Sequence, residues 1–260
     1  MSVNKDCDAN LKESIRLEAG GENWSLTRYA QVGSTNDLAR DLPPWSAVCA
    51  DVQTKGRGRF GRAFASGPGG LWISAVLPAG GPQGIWAGFS LRAGASLLAY
   101  LRSLGISGAR LRWPNDLMCG SQKVGGLLIE QPASGILIVG FGLNICNQPW
   151  SAYPELREIT TTLAEEMENP PSVMDAARGV LAALAHSHKK MLKGGMAMAI
   201  EELNPEWSTP LPVEIDLNGG GVLIGLFCGL DSEGHLKIRV PSGSDLVVEH
   251  HLVKKLRESP

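Results

Sequence analysis

The sequence predicts an α+β protein in two parts. A β-sheet with flanking helices occupies residues 23–208, and a small β-barrel occupies 209–260, after a frayed or helical lead-in over 1–22. Three observations point there. Strand-like and helix-like stretches are interspersed as far as Trp207. At Thr209-Pro210-Leu211-Pro212 the character changes, and the remaining residues form short strands set off by turn signals at 218–221, 231–234 and 242–244. The chain has 260 residues, 43% hydrophobic and 19% charged, enough for one large domain or two smaller ones with an ordinary buried core.

In chain order, Trp24 to Val32 alternates loosely and reads as a strand. Ser34, Thr35 or Asn36 can N-cap a short helix through Leu42, which Pro43-Pro44 stops. Ser46 to Gln53 is a short strand. Lys55 to Gly70 is Gly-rich and without periodicity, hence a loop. Leu71 to Leu77 is again strand-like. From Ala87 to Leu104 the residues Leu91, Ala95, Leu98 and Leu101 share one helical face, with Gly105 just past the end. Arg110 to Trp113 leads into a turn at Pro114-Asn115. Residues 123–131 and 135–145 read as paired strands. Ser172 caps a long helix to about Leu192 with Val173, Ala177, Val180, Leu184 and His188 in one stripe. A further helix runs from Met196 to about Trp207. No internal repeat is present.

Composition excludes several classes. With 24 Lys+Arg against 26 Asp+Glu the formal net charge is -2, so no global basic field holds nucleic acid or an anionic membrane. The five cysteines (7, 49, 119, 146 and 228) form no C-x-x-C pair, which argues against a disulfide framework or zinc knuckle and fits a reducing cytosol. The polar N-terminus has no apolar signal core, and no apolar run reaches the ~18 residues of a membrane span. A cytoplasmic protein is expected.

Local chemistry concentrates in a few segments. Lys55 to Arg62 reads KGRGRFGR, four cations in eight residues with no acid among them. Glycines let the backbone approach a ligand, and arginine forks suit phosphate and carboxylate oxygens. The run is an anion-binding loop, or else an exposed basic loop of no consequence. The same run matches G-x-G-x-x-G at Gly56, Gly58 and Gly61. AFASGPGG after it cannot start a helix, so the dinucleotide-fold reading is rejected. Trp113-Pro114-Asn115-Asp116 is a turn at a strand end, or a turn that holds an amide and a carboxylate toward a polar ligand. Lys123 opens the apolar strand VGGLLI. Alone it reads more readily as a snorkelling end residue than as a charge aimed into a pocket. Gly140-Phe141-Gly142-Leu143-Asn144 again offers close approach beside an amide. The histidines have no metal-ligand spacing, and no serine elbow, P-loop or Cys/His nucleophile pair is present.

Taken in order, Ser34-Thr35-Asn36, Gln53 before GRGRFGR, RWPNDL (112–117), KVGGLLIE (123–130) and GFGLNI (140–145) resemble the biotin protein ligase family. The C-terminal segment with Gly229-Leu230-Asp231 and Gly234 resembles that family's SH3-like domain. The resemblance spans roughly residues 24–257. Three positions depart from the family pattern. Lys55 stands before the first loop glycine where a small residue is usual, Phe64 stands where tryptophan is usual, and Val-Lys-Lys-Leu-Arg follows His250-His251 in place of Gly-Glu-Val. Some members carry an N-terminal winged helix-turn-helix. The short stretch before the first core strand implies a monofunctional ligase.

The resemblance implies a mixed sheet with flanking helices, an SH3-like C-terminal domain, and two half-reactions in one site. Biotin attacks ATP to form biotinyl-AMP, and a lysine of a biotin carboxyl carrier protein then takes the biotin. By this resemblance Ser34, Thr35, Asn36 and Gln53 surround the biotin rings, joined on the biotin side by Arg57, Gly58, Arg59, Lys123, Gly126 and Gly142. Arg57, Arg59, Arg62, Asn115, Asp116, Lys123 and Asn144 fall on the nucleotide side. Lys123 and Arg57 are the catalytic cations, Asp116 an aid to deprotonating the acceptor amine, and Mg²⁺ enters with ATP without assigned ligands. Closure of the Lys55–Gly70 loop shields the anhydride from water. A homodimer through the 135–145 sheet would follow some relatives, with no residue of this sequence arguing for it. A lipoate–protein ligase is the alternative within the same adenylation chemistry, against which GRGRFGR and RWPND weigh. A non-enzymatic nucleic-acid binder is set aside by the net charge. An inactive biotin binder is set aside by the retained lysine and arginines.

Overall fold

The computed structural model describes residues 10–80, 86, 88–132 and 135–258. Its centre is an eight-stranded mixed sheet in the order β1-β2-β3-β4-β8-β7-β6-β5. The strands are β1 (Leu11–Ala19), β2 (Glu22–Val32), β3 (Ser46–Gln53), β4 (Leu71–Pro78), β5 (Ala109–Arg112), β6 (Asp116–Cys119), β7 (Gln122–Glu130) and β8 (Ile136–Leu143). Among the described strand pairs of this sheet only β2–β3 is parallel.

The expected lead-in over 1–22 is replaced by strand from Leu11 onward, while residues 1–9 lie outside the described residues. Ile15, Leu17 and Ala19 alternate with Ser14, Arg16 and Glu18, the period of a half-buried strand. Gly20 and Gly21, both at positive φ (65° and 74°), form a two-residue turn that pairs Ala19 with Glu22.

Helices cover both faces. α2 (Phe89–Ser103) and α4 (Val173–Leu203) pack on each other and on one face. The periodic stripes of both helices are buried there with Ile73, Ala75, Leu77, Leu137 and Val139. The expected start of α2 at Ala87 lies outside the described residues, and Gly105 comes just after its end at φ 98°. Ser172 caps α4 through the Asp175 N–H (3.1 Å). Gly195 (φ 59°, ψ −148°) interrupts α4, so two helical stretches meet there, in keeping with the two helices expected on either side of it.

On the opposite face lies the short α1 (Thr35–Ala39), with Ala39 against Val76 and Ile138. It ends three residues before the expected Leu42, and its N-cap Ser34 makes no side-chain capping bond. A one-turn α3 (Leu163–Glu166) precedes α4. Beside α1 the sheet floors a cavity walled by residues 57–65, 149–160 and 255–258.

The C-terminal part is a five-stranded antiparallel sheet, β12-β11-β10-β9-β13. Its strands are β9 (Leu211–Leu217), β10 (Val222–Leu230), β11 (Leu236–Arg239), β12 (Asp245–Val248) and β13 (Val253–Glu258). All three turn signals fall at its strand connections. β12 and β13 are its edges in the described ladders, so the unit resembles an SH3-like sheet without recorded closure. Its core is continuous with that of the larger domain through Trp207 against Phe227 (5.2 Å between rings). β8, the strand expected at a dimer contact, is flanked by β4 and β7 and offers no free edge.

Candidate active site

On the α1 face, over β4, β8 and β7, lies a cavity of about 600 Å³. Every site residue nominated from the sequence lines it. The cavity exists because its floor is glycine. Ladder pairing sets Gly126 opposite Gly142, and both line the cavity together with Gly140. Side chains from elsewhere descend into the space. A Cβ on Gly126 would lie 2.8 Å from Lys123 Nζ, one on Gly140 2.3 Å from Asn36 Oδ1, and one on Gly142 2.6 Å from the Phe64 ring.

One end of the cavity is a neutral hydrogen-bonding recess. Thr35 donates from N–H and Oγ1 to Gln53 Oε1 (2.8 and 3.0 Å), and Gln53 Nε2 donates to Ser66 Oγ (3.0 Å). The buried Ser74 hydroxyl lies 2.7 Å from Thr35 Oγ1 and 2.6 Å from Asn36 Oδ1. The Asn36 amide nitrogen is buried without a protein partner. A buried unpaired donor costs free energy, so this amide is suited to an acceptor that arrives with a ligand.

The segment expected to be a structureless loop is a hairpin. Gln53 N bonds Ser66 O (3.0 Å), Phe64 N bonds Gly56 O (2.9 Å), Arg57 bridges Ala63, and Gly58 N bonds Arg62 O (2.8 Å). The tip is a single 3-10 turn, Arg59–Gly61, with Phe60 and Gly61 at positive φ (57° and 69°). The charge repulsion within KGRGRFGR is relieved unevenly. Arg57 is bidentate on Asp37 (3.0 and 2.7 Å) and also reaches Glu130 (3.2 Å). Arg59 lies over the Phe60 ring at 5.0 Å, and Arg62 donates Nε to Arg59 O (3.3 Å). Among the described residues neither Arg59 nor Arg62 has an ion-pair partner. Burial and the nearby Arg62 push the Arg59 guanidinium below its ordinary pKa, the signature of a cation short of counter-charge.

At the centre stands Lys123, 2.5 Å from Asp116 Oδ1 and 5.3 Å from the Phe64 ring. Phe64, which also meets Trp72 edge-on (5.8 Å), therefore supplies an aromatic face for the lysine. Arg112 takes the other Asp116 oxygen at 2.8 Å. Burial alone would raise the Asp116 carboxyl, but Lys123 and Arg112 hold it below the usual carboxylate value. A carboxylate so held is a weak base. Its geometry suits the orientation of Lys123 and not the expected proton abstraction from an amine.

Asn115 and Asn144 line the wall with their amides already engaged. Asn115 Nδ2 donates to Leu127 O (2.7 Å). Asn144 donates to Thr161 O (3.1 Å) and accepts from Asn147 Nδ2 (2.9 Å). Both side chains shape the wall by tying its segments together.

Sequence reasoning missed the contribution of β13, whose Lys255 and Arg257 also line the cavity. Their i, i+2 spacing puts both on one face of a strand, which is the available signal. Which face meets the cavity is decided by docking, chiefly the two-bond pair of Arg110 with Glu258 (2.8 and 2.5 Å). Arg112 was also missed as a site cation, although its motif was recognised. Among the described residues no group of three or more His, Cys, Asp or Glu side chains is placed to hold a metal.

Comparison with known proteins agrees with this geometry. Residues 29–144 match the model of the Biotin/lipoate A/B protein ligase family. The chain is 26% identical over 250 residues to a bifunctional ligase/repressor of Bacillus subtilis, covering 91% of this chain and 75% of that one. It is 28% identical over 257 residues to the biotin–[acetyl-CoA-carboxylase] ligase of Mycobacterium tuberculosis, covering 93% of each. Among solved structures, the biotin protein ligase of Aquifex aeolicus in complex with biotin and ATP superposes with a TM-score of 0.78 at 27% identity, over 90% of this chain and 99% of that one.

Proposed function

We propose that this chain, which carries a biotin/lipoate protein ligase family domain, is an ATP-dependent biotin protein ligase. One observation carries the reading. A neutral recess with an unpaired buried amide opens directly onto a wall of cations, and Lys123 stands between them.

The recess fits the ureido ring of biotin. That ring offers N–H donors to Thr35 and Gln53 oxygens and a carbonyl to the Asn36 amide. The dithiolane of lipoate offers neither and would leave Asn36 unpaired, at a cost of about 1–3 kcal/mol. Biotin is therefore the substrate and lipoate is not. The carboxylate then lies toward Lys123, with the ATP phosphates among Arg59, Arg62, Arg112, Lys255 and Arg257.

In the first half-reaction a carboxylate oxygen attacks the α-phosphorus, and pyrophosphate leaves. Two anions meet, so the fixed cations supply most of the catalysis by stabilising charge that develops in the transition state. Asp116 keeps the Lys123 ammonium aimed between the two reactants. Both oxygens of Asp116 are engaged by Lys123 and Arg112. Mg²⁺ would accordingly enter as the ATP complex, held by phosphate oxygens and offsetting their charge.

In the second half-reaction the neutral amine of a lysine on a biotin carboxyl carrier protein attacks the acyl carbon. AMP departs with both electrons of the acyl–oxygen bond, and the proton lost from the new amide nitrogen passes to solvent or to the departing phosphate. No covalent enzyme intermediate is needed. The hairpin tip at 58–62 is the part free to cover the anhydride.

The experiment is biotin-dependent exchange of labelled pyrophosphate into ATP by the purified protein, in parallel with lipoate. Exchange with biotin alone is expected. Exchange with lipoate alone, or with neither acid from folded protein, overturns the reading.

A further inference from the structure

Arg57 sits in the basic loop but is not free. Its fork closes on Asp37 with two bonds and reaches Glu130 with the second amino nitrogen (3.2 Å to Oε1). Arg40 donates to the other Glu130 oxygen (2.9 Å) and lies 3.7 Å from Asp37, completing a ring of two arginines and two acids. These residues come from three different parts of the site. Asp37 lies on α1, whose N-terminal end forms the neutral recess. Glu130 closes β7, whose other end carries Lys123. Arg57 stands in the hairpin immediately before the tip, at its bridge to Ala63.

We propose that Asp37 and Glu130 are positioning residues that act through Arg57. They fix the base of the basic hairpin so that only residues 58–62 move over the bound intermediate. This deepens the ligase reading and rests on it for its kinetic arm. A bidentate arginine–carboxylate pair fixes orientation as well as distance, because both groups are planar. The pairs are partly solvent-exposed, with Asp37 about half exposed, so their net contribution to stability is small. What they fix is geometry. The lowered pKa of Asp37 beside Arg57 agrees with a persistent pair. Arg57 is thereby distinguished from Arg59 and Arg62, which keep their charge available to the ligand.

The test uses Asp37→Asn and Glu130→Gln, each in the wild-type and the Arg57→Ala background, together with Arg57→Lys. Two quantities are measured: amide hydrogen exchange across 55–66 in the free protein, and the lifetime of enzyme-bound biotinyl-AMP. The clamp requires faster exchange in the hairpin and a shortened lifetime of the bound intermediate, because a misplaced tip admits water. It requires that Asp37→Asn add nothing once Arg57 is alanine. It also requires that Arg57→Lys behave like Arg57→Ala, since lysine keeps the charge and loses the fork. Unchanged hairpin exchange in the Asp37→Asn, Glu130→Gln double variant overturns it. So does an Asp37→Asn effect of equal size in both backgrounds, or full retention by Arg57→Lys, which would make Arg57 a phosphate contact. If the wild type forms no biotinyl-AMP, the ligase reading falls while the exchange measurement still decides the clamp.

Discussion

Lys123 is placed by three neighbours at once: the Asp116 carboxylate, the Phe64 ring, and the absence of a side chain on Gly126. Each can be removed singly. Lys123→Ala should slow single-turnover adenylate formation by ~10²-fold, the range found for deleting one transition-state donor. A rate within a factor of about three of wild type would strip Lys123 of that role. Gly126→Ala is a gentler probe. The added methyl would meet the lysine 2.8 Å away, and the lysine end is flexible enough to yield. The variant should fold normally yet lose adenylation, which circular dichroism and pyrophosphate exchange measured together would separate. Asp116 also has a pH signature. Its folded pKa is below the unfolded value, so its contribution to stability is complete above about pH 4. That contribution disappears as pH falls through the lowered folded value. The stability gap between wild type and Asp116→Asn, read by denaturant titration, should therefore be full at about pH 6 and close below about pH 4. A gap that does not depend on pH would show that the carboxylate is not charged in the folded state.

At the scale of elements, what the sequence shows depends on whether a local pattern or a partner decides the outcome. β3 is legible to the residue, because Pro44 and the Gly-rich hairpin bound a short apolar run. β1 reads as a frayed or helical lead-in because of its charged residues, although the Ile15/Leu17/Ala19 alternation and the Gly20-Gly21 turn that make it a strand are present. The hairpin at 53–66 is not legible, since its cross-strand bonds are made by backbone atoms of a run without side-chain periodicity. Gly195 is a case where the local signal governs. Its φ of 59° with ψ −148° lies where residues with a Cβ are strained, and nothing lies within 4 Å of a built Cβ. Gly195→Ala should thus lose about 1–3 kcal/mol from backbone strain alone. A neutral result in chemical denaturation would mean the break in α4 relaxes freely. His188 anchors the same helix to β4. It is buried, stacked on Trp86 at 5.0 Å, with Nε2 2.8 Å from Pro78 O. Burial lowers its pKa. The stability that goes with its neutral form is present above about pH 6.5 and lost as pH falls toward the folded value. The thermal midpoint of His188→Gln should vary less than that of wild type between about pH 6.5 and 5, with equal slopes as the contrary result.

For the whole molecule, the join between the two sheets completes the cavity. No motif in the large domain announces that Lys255 and Arg257 belong to the site, because their place depends on how the C-terminal sheet docks. Three contacts fix that docking. Arg110 grips Glu258, Asn204 exchanges two bonds with Leu230 (3.2 and 2.8 Å), and Trp207 meets Phe227. Burial and the surrounding Arg257, Arg62 and Arg112 push the Lys255 ammonium below its ordinary value. Arg257 is already paired with Glu214 and Asp216, and Arg112 with Asp116, whereas Lys255 and Arg62 have no ion-pair partner among the described residues, and a polyphosphate arriving there would supply their counter-charge. The recess at Thr35, Asn36 and Gln53 is formed wholly by the large domain. The join should therefore govern ATP and leave biotin alone. The Lys255→Ala, Arg257→Ala double variant should raise the KM for ATP about tenfold or more, since a single charge-assisted contact contributes about 1.5–3 kcal/mol and Arg257 shares its charge with Glu214 and Asp216, with the KM for biotin unchanged. Arg110→Ala, which touches no ligand and loosens only the docking, should shift the KM for ATP in the same direction by less. A shift in the biotin KM of equal size in either variant would mean that the C-terminal sheet holds the fold of the whole site and is not specifically a wall for the nucleotide.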